Sequence, residues 1–352
     1  MMLDPAMSRA AIERWLRATD AGRLDELWRT ADAVRAAHVG DAVHLRGLVE
    51  ISNHCVRGCA YCGLRGPNAR LERYRMTAEE IFACADEAVA FGYGTLVMQA
   101  GEDYGLTRDF IAGVIAAIKR RTPLAVTRSL GERPMEDLAA WRAAGADRYL
   151  LRFETSDRGL YDAIHPPLGG QVSDRLAMLA AVRDLGYEIG GGVMIGIPGQ
   201  TYAMLAGDVE AFRLYDFDML GMGPYIPHPD TPLGSGAIAP PVAPGDQVPA
   251  DELMTYKMIA LTRIVRPDAN IPSTTALATL NKATGRELGL ARGANIVMPN
   301  LTPPRYRVMY EIYPGKACIN ETAEACRHCL SQRILSMGRT VGTGPGGRKR
   351  RG

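Results

Sequence analysis

Residues 43–62 read VHLRGLVEISNHCVRGCAYC and join an apolar, strand-like run to a loop with three cysteines. The run 43–52 is the first of eight strand candidates, and helical patterns lie between them. The other candidates are 95–101, 124–131, 148–155, 188–197, 217–226, 270–276 and 294–300. Strands that alternate with helices over roughly 250 residues predict an α/β fold, a (β/α)8 TIM barrel, with a doubly wound open sheet as the alternative.

The 352 residues divide around this barrel. Residues 1–42 carry charges at helical spacing and predict a helical N-terminal extension, and 43–300 form the barrel. Residues 301–352 predict a C-terminal extension with a metal site, which ends in a flexible basic tail from Gly338 onward. The Pro- and Gly-rich stretch 227–250 lacks periodicity and predicts a long loop that could cover the barrel mouth.

The overall charge is nearly balanced. Lys+Arg 41 against Asp+Glu 39 gives a net charge of +2, so no field over the whole chain selects nucleic acid or an anionic membrane. No apolar run approaches the ~20 residues of a membrane helix, and the start of the chain lacks the apolar core of a signal peptide. We therefore expect a cytoplasmic protein without nucleic-acid or membrane partners.

Cysteine is the informative residue type. The seven cysteines are Cys55, Cys59, Cys62, Cys84, Cys318, Cys326 and Cys329. An odd count without an export signal argues against a disulfide framework, and the grouping of six into two triplets favours metal or iron–sulfur ligation. Cys84 lies in an amphipathic helical pattern over 77–91, which predicts a buried packing residue.

The first triplet, Cys55, Cys59 and Cys62, has the spacing C-x3-C-x2-C and directly follows the first strand. Three thiolates on one short loop can hold a 4Fe–4S cluster and leave its fourth iron without a protein ligand, which is the open position that catalysis needs. Structural zinc is the alternative, but it requires four ligands, and the adjacent His54 is poorly placed for the fourth.

This motif, with an aromatic residue before its last cysteine, resembles that of the radical S-adenosylmethionine (SAM) enzymes. The resemblance implies that SAM chelates the open iron and that an electron from the cluster cleaves it to a 5′-deoxyadenosyl radical. Six further positions match the family's SAM site. They are Tyr61 beside the adenine, Gln99, Gly101 and Glu102 at the methionine ammonium, Glu154 at the ribose and Arg175 at the methionine carboxylate. Ala100 stands where the family has glycine, and the glycine-rich run 190–199 resembles the strand that packs against the adenine.

The second triplet, Cys318, Cys326 and Cys329, follows the last predicted strand. Together with the neighbouring His328 it could hold zinc or a second iron–sulfur cluster, and the spacing alone leaves both possibilities open.

Longer segments resemble one subgroup, the HydE family of FeFe-hydrogenase maturases. They include CAYCGLRGPNARLERYRMTAEEI, QAGED, SLGE, GIPGQT, GPYIPHPDTPL, NIPSTTA and YPGKAC. This resemblance implies an auxiliary iron–sulfur cluster at the second triplet. It also implies a substrate in which iron carries CO, cyanide and cysteine, with attack of the radical on the cysteine sulfur. The substrate would come from HydG, and the product would move toward HydF.

The HydE resemblance also implies a set of substrate contacts. Arg152 and Tyr313 are the predicted catalytic residues, and the predicted substrate-binding residues are Thr127, Ser129, Thr274, Thr275 and Tyr310. Packing is the alternative role for the two tyrosines. Phe153 departs from the family pattern, which often has histidine there, and this raises the question of how the substrate end of the cavity is built.

Two other functions remain open from the sequence. One is methylornithine-synthase or biotin-synthase chemistry on an organic substrate, since those enzymes share the first triplet. The other is a non-enzymatic iron–sulfur or zinc protein, in which the cysteines only bind or deliver metal.

Overall fold

A parallel sheet is built around the long first strand. The computed structural model describes residues 3–319 and 321–349. The strands are β1 (Ala42–Ser52), β2 (Thr95–Ala100), β3 (Ala125–Ser129), β4 (Arg148–Leu150), β5 (Glu188–Ile195), β6 (Met219–Pro224), β7 (Ile296–Val297) and β8 (Thr340–Gly342). They pair in the order β6-β5-β4-β3-β2-β1-β7, and β8 pairs with β1 beside β7.

The sheet closes through a segment too short to count as a strand. Asn270 forms a parallel bridge with Met219 of β6, and Pro272 forms one with Ile296 of β7. The segment 270–272 therefore takes the seventh strand position of the closed barrel, and β7 takes the eighth. This arrangement confirms the predicted (β/α)8 barrel.

Three predicted strands are much shorter than expected. The run 294–300 keeps only Ile296–Val297, and in the other two a different local structure replaces the strand. The run 270–276 ends early because Thr274 caps the next helix, its Oγ1 accepting a hydrogen bond from the Leu277 amide at 3.4 Å. The run 148–155 stops at Leu150, and Glu154 beyond it has a φ of 65°, outside the strand region.

Helices surround the sheet. In chain order they are α1 (Arg9–Leu16), α2 (Ala21–Val39), α3 (Ala78–Ala90), α4 (Arg108–Arg121), α5 (Met135–Ala143), α6 (Arg158–Ile164), α7 (Arg175–Asp184), α8 (Tyr202–Leu214), α9 (Glu252–Val265), α10 (Thr275–Leu280), α11 (Gly285–Ala291), α12 (Pro304–Arg307) and α13 (Ala323–Ser336). The N-terminal pair packs on the outside of the barrel, α1 against α8 and α2 against α9. None of the helices in the described part of the chain has the length and apolarity to cross a bilayer.

The strands are buried on both faces, as expected of parallel strands between a barrel interior and covering helices. All residues of β1 from Leu45 onward are buried. Close strand contact explains the central glycine of β5, because a Cβ on Gly192 would lie 2.0 Å from the Gly221 carbonyl oxygen on β6. Cys84 is buried within α3, as predicted.

The C-terminal tail, predicted to be flexible, packs against the barrel from Gly338 to Lys349 in this structure. Thr340–Gly342 pairs with β1, and the chain then crosses the N-terminal end of the barrel, where the Gly346 carbonyl accepts a hydrogen bond from Arg46 at 2.9 Å. The Arg348 guanidinium lies among three carboxylates and is 8% exposed; they are Asp216 at 2.9 Å, Asp268 at 2.8 Å and Asp218 at 3.3 Å. These carboxylates come together only at the barrel's lower rim, so the tail sequence gives no sign of them. Arg350 and Arg351 lie outside the described residues.

Candidate functional site

A cavity of about 310 Å³ lies inside the barrel at the carboxyl ends of the strands. This is where barrel enzymes place their active sites. Fourteen of the predicted site residues line it: Cys55, Tyr61, Cys62, Gln99, Gly101, Ser129, Arg152, Glu154, Thr274, Thr275, Tyr310, Tyr313, Cys318 and Cys326. Segments far apart in the chain therefore meet at one site.

Thr127 does not belong to this cavity. It lies two residues below Ser129 on β3 and lines a separate void of about 10 Å³ with Arg148 and Glu188. Inward-facing residues alternate along a strand, and Ser129 takes the upper position. Thr127 therefore lies outside the cavity that the other predicted substrate residues line, and its substrate contact stays a prediction.

The loop of the first triplet is held by one arginine. The guanidinium of Arg73 donates hydrogen bonds to the carbonyls of Asn53 at 2.6 Å, Leu64 at 2.8 Å, Arg65 at 2.8 Å and Asn68 at 3.2 Å. Gly101 of the QAGE segment lies against the same loop, because a Cβ there would come within 2.2 Å of the His54 carbonyl oxygen. Glycine is needed at this position for close packing of the two segments.

The long loop predicted over 227–250 covers the triplet from the other side. The Leu233 amide donates a hydrogen bond to the Ala60 carbonyl at 3.0 Å, and the ring of His228 packs against Gly63. Cys59 is only 8% exposed beneath this cover. The loop thus shields the cysteines from solvent.

The three thiols fit a cluster in their present environment. Burial raises the pKa of all three, and that of Cys59 rises to about 11. A bound cation offsets this desolvation, because metal ligation requires the thiolate form. The three Sγ atoms are not close enough together to bind one metal ion in common, and Cys55 and Cys62 line the cavity. This arrangement fits a 4Fe–4S cluster with one iron open toward the cavity.

An ion-pair chain runs beside the triplet. Arg57 contacts Glu102 at 2.8 Å and Glu132 at 3.0 Å, and Glu132 also contacts Arg175 at 2.9 Å. Glu102 is 3% exposed, does not line the cavity and directs its carboxylate to Arg57 and the Glu132 amide. Burial raises the pKa of Glu102. In this structure Glu102 lies behind the site, and its neighbours Gln99, Ala100 and Gly101 line the cavity.

His165 connects two of the predicted SAM-site residues. Its Nε2 lies 2.9 Å from the Tyr61 hydroxyl and 3.4 Å from the guanidinium of Arg175. Arg175 also donates to the Arg152 carbonyl at 2.8 Å. Sequence reasoning missed His165, because a single histidine after a short helix carries no motif.

Arg152 and Glu154 follow the carboxyl end of β4 and form one wall of the cavity. Glu154 has a positive φ of 65°, a strained state that costs a non-glycine residue ~1–3 kcal/mol, and such strain concentrates at functional sites. Its carboxylate lies 2.9 Å from the guanidinium of Arg152. Phe153 between them points away from the cavity, is 1% exposed and stacks on Phe217 with ring centroids 5.9 Å apart. The departure at Phe153 therefore changes the core rather than the cavity.

Asp208 holds the turn that follows Glu154. Its Oδ1 accepts hydrogen bonds from the Ser156 amide at 2.5 Å and the Ser156 hydroxyl at 2.7 Å. Its Oδ2 lies 3.5 Å from Gln200 Nε2, and the Oε1 of Gln200 accepts from the Gly196 amide at 2.7 Å. Burial raises the pKa of Asp208 to about 7. Asp208 thus links the Glu154 turn to the glycine-rich end of β5, another contact that the sequence did not reveal.

The opposite wall carries a buried ion pair. Lys316 of the YPGKAC segment lies 2.7 Å from Glu50 of β1, and their side chains are 5% and 3% exposed. Lys316 also donates to the Tyr310 carbonyl at 3.2 Å, and the Tyr310 hydroxyl accepts from Gln99 at 3.1 Å. The YPGKAC segment is part of the HydE resemblance, but no sequence pattern predicts a role for Lys316. This pair fixes the segment that carries Tyr310 and Tyr313.

The second triplet lines a cavity of its own, of about 290 Å³. Ligand atoms of Cys318, Glu321 and Cys326 lie within 4.8 Å of one another, and Cys329 lies on the same wall. His328 is exposed and lines neither cavity, whereas Glu321 lies beside Cys318 and Cys326. Lys316, Cys318 and Cys326 line both cavities, which therefore adjoin.

Comparisons with known proteins agree with this geometry. The Radical SAM superfamily model matches residues 49–212. The FeFe-hydrogenase maturase subunit HydE of Thermotoga maritima is 45% identical over 343 residues, which are 97% of this chain and 94% of that relative. The 3-methylornithine synthase of Methanosarcina acetivorans is 26% identical over 276 residues, 78% of this chain and 74% of the enzyme.

Solved structures show the same fold. The crystal structure of methylornithine synthase (PylB) has a TM-score of 0.79 at 23% identity and covers 95% of this chain and 94% of its own. The maturase HydG from Carboxydothermus hydrogenoformans has a TM-score of 0.77 at 18% identity, with coverage of 95% and 75%. At these identities the likeness establishes the barrel and nothing about substrate.

Proposed function

The chain belongs to the radical SAM superfamily and, within it, to the HydE maturases of FeFe hydrogenase, and we propose that it acts on an iron complex carrying CO, cyanide and cysteine. The point of attack in this proposal is the cysteine sulfur. The observation that supports it is the single cavity lined by two cysteines of the first triplet and by most of the predicted SAM and substrate residues. Membership in an enzyme family also removes the non-enzymatic alternative.

Cys55, Cys59 and Cys62 would hold the 4Fe–4S cluster, and SAM would occupy the cavity beside it. When bound, the cluster supplies the electron that cleaves the SAM sulfonium to a 5′-deoxyadenosyl radical. A guanidinium can hold a carboxylate through two parallel hydrogen bonds, so Arg175 is suited to the methionine carboxylate. Glu154 is suited to accept hydrogen bonds from the ribose hydroxyls, and the Tyr61 ring to pack against the adenine.

The protein's own contribution is orientation and exclusion of water. A carbon radical abstracts hydrogen from any accessible group, so its target must be in contact and solvent must be kept out. Leu48, Met194, Met219 and Ile312 make much of the cavity wall apolar. The loop over 227–250 closes the side next to the triplet, where the Leu233 amide is bonded to the Ala60 carbonyl.

The substrate end of the cavity carries hydrogen-bond donors that suit an anionic group. Arg152 is suited to an anionic edge of the iron complex, and the hydroxyls of Ser129, Thr274 and Thr275 can donate to its carboxylate or cyanide. Tyr313 lines the same cavity, and burial raises its pKa to about 12, so it stays a neutral phenol. We assign Tyr313 and Tyr310 to positioning the substrate.

The second triplet would hold an auxiliary iron–sulfur cluster. Three thiols on the wall of a cavity of about 290 Å³ support this assignment, and the nearby Glu321 is a further ligand. As partners we propose HydG as the source of the iron complex and HydF as the acceptor of the product.

The test is anaerobic reconstitution followed by reduction in the presence of SAM. We expect release of methionine and 5′-deoxyadenosine, and conversion of the iron–cysteine complex in a coupled assembly of the hydrogenase cluster. Failure to cleave SAM would refute the radical reading. Rearrangement of lysine to methylornithine, without action on the iron complex, would favour the methylornithine-synthase alternative.

A further inference from the structure

His165 is a buried histidine for which the proposed chemistry has no assigned role. It directly follows α6 and is 7% exposed. Its ring stacks on Tyr161 with centroids 4.2 Å apart and meets the edge of Tyr61 at 5.3 Å. The ring therefore lies between α6 and the loop of the first triplet.

The hydrogen bonds of the ring define its tautomer. Nδ1 lies 3.2 Å from the Tyr161 carbonyl, which can only accept, so Nδ1 carries the proton. Nε2 is then a lone-pair acceptor. It faces two donors, the Tyr61 hydroxyl at 2.9 Å and the Arg175 guanidinium at 3.4 Å.

Burial and the adjacent Arg175 cation lower the pKa of His165 well below its ordinary value. The neutral ring can therefore keep accepting from both donors. A protonated ring would present an N–H to the same two groups and would repel Arg175.

We propose that His165 is a positioning residue for SAM, which fixes Tyr61 and Arg175 relative to each other through the single acceptor Nε2. The two donors come from different elements, Tyr61 from the triplet loop and Arg175 from the first position of α7. In the proposed function they contact opposite ends of SAM, the adenine and the methionine carboxylate. The inference rests on that function, because it takes these two residues as SAM contacts.

The surrounding contacts support a role as a tether. The Ala60 amide, next to Tyr61, donates a hydrogen bond to the Ile164 carbonyl, next to His165, at 2.9 Å. The guanidinium of Arg175 is also bonded to Glu132 at 2.9 Å and to the Arg152 carbonyl at 2.8 Å. These backbone and side-chain contacts together fix the triplet loop, α6 and α7 relative to one another.

Two substitutions separate tethering from packing. His165→Phe keeps an aromatic ring against Tyr161 but removes the acceptor, whereas His165→Gln keeps an amide oxygen near Nε2 but loses the ring stack. If His165 acts as a tether, the Phe variant is the more damaged of the two. If it only fills space, the Gln variant is.

The measurements are the dissociation constant of SAM for the reconstituted protein and the SAM-induced change in the EPR spectrum of the reduced cluster. We expect His165→Phe to weaken SAM binding by about tenfold. The KM for SAM should rise by a similar factor with kcat little changed, and His165→Gln should bind within about threefold of wild type. Stronger damage in His165→Gln, or unchanged binding in His165→Phe, would overturn the proposal.

Two further variants test whether the loss of SAM binding comes from misfolding or from replacing any histidine. Tyr61→Phe removes the same hydrogen bond from the other side, and His165→Phe should cost less in that background than in wild type because the shared contact is already lost. Full additivity would argue against the tether. His44→Phe, at the opposite end of the barrel, should leave SAM binding unchanged.

Two outcomes distinguish the inference from the proposed function. A wild-type protein that neither binds nor cleaves SAM would refute both. Normal SAM cleavage by the wild type, together with unchanged SAM binding by His165→Phe, would refute the inference alone.

Discussion

The two cysteine triplets of this protein have equal numbers of thiols but different surroundings. The first is enclosed by the barrel, by Arg73 and by a long covering loop, and Cys59 within it is 8% exposed. The second lies on a terminal segment, where Cys326 is buried and Cys329 is exposed on α13. In the described chain, only the second offers three metal-binding side chains with ligand atoms within 4.8 Å of one another, one of them the carboxylate of Glu321.

The difference shows that ligand type does not define a metal site by itself. Around the first triplet the structure adds a largely apolar cavity lined by the carboxylate of Glu154, with the Arg175 cation held next to it by Glu132, as the proposed binding of SAM requires. Around the second it brings the carboxylate of Glu321 close to the thiols of Cys318 and Cys326. We therefore expect catalysis to depend on the first triplet and metal content to depend on both.

The largest effect is expected from Cys59→Ser. Loss of one of three ligands prevents stable cluster assembly, so SAM cleavage should fall to the background of the cluster-free protein. The measurement is release of 5′-deoxyadenosine after reduction, with iron content determined on the same sample. Cys84→Ser, in the α3 packing position, is the matched control and should retain cleavage. Substantial activity in Cys59→Ser would remove the functional distinction between the triplets.

Arg175→Met should weaken SAM binding by roughly 100-fold, because a paired, charge-assisted contact to the methionine carboxylate is lost. Glu132 keeps its contact with Arg57 at 3.0 Å, so the variant does not leave that carboxylate isolated. Arg175→Lys retains charge without the planar fork and should fall between wild type and Arg175→Met. Equilibrium binding of SAM measures this, and equal affinity in all three proteins would contradict the assignment of Arg175.

Asp208 gives the framework of the first site a pH dependence. Burial raises its pKa from the ordinary 3.8 to about 7 in the folded state, so above pH 4 the unfolded chain loses this proton first. The contribution of Asp208 to stability is therefore fully present below about pH 4 and is lost as pH rises toward 7, by roughly 2–4 kcal/mol.

Asp208→Asn cannot titrate at this position and should lack that loss. Urea unfolding of wild type and variant at pH 5.5 and pH 8 measures the difference between them. The stability of the wild type relative to Asp208→Asn should decrease between these two values. A difference that does not vary with pH would contradict the raised pKa.

The smallest effect on catalysis is expected from Cys326→Ser. It should lower the bound metal at the second site while SAM cleavage stays within about threefold of wild type, since none of the residues proposed to contact SAM belongs to the second triplet. Metal analysis and the cleavage assay on one preparation measure both quantities. Cleavage reduced as severely as in Cys59→Ser would make the second triplet part of the catalytic centre.

Much of the fold could be read from local patterns. The alternation of apolar runs and helical patterns predicts the barrel, because parallel strands buried on both faces need apolar residues at nearly every position. The same patterns misjudged segments whose structure is decided by partners elsewhere. Leu150 ends β4 although the apolar run continues to Phe153, which packs on Phe217, and the tail is held by carboxylates that its own sequence does not contain.

Local sequence was enough to predict the first triplet as cluster ligands and to identify the family, since covalent spacing on one short loop requires no tertiary information. Local patterns do not say which distant residues share a cavity; the folded chain does. In it Thr127 and Glu102 lie outside the cavity, Glu321 rather than His328 lies beside Cys318 and Cys326, and His165, Asp208 and the Glu50–Lys316 pair join the site. The physical reason is that these contacts join side chains from different strands and helices. Their positions depend on barrel closure and packing, which local sequence does not encode.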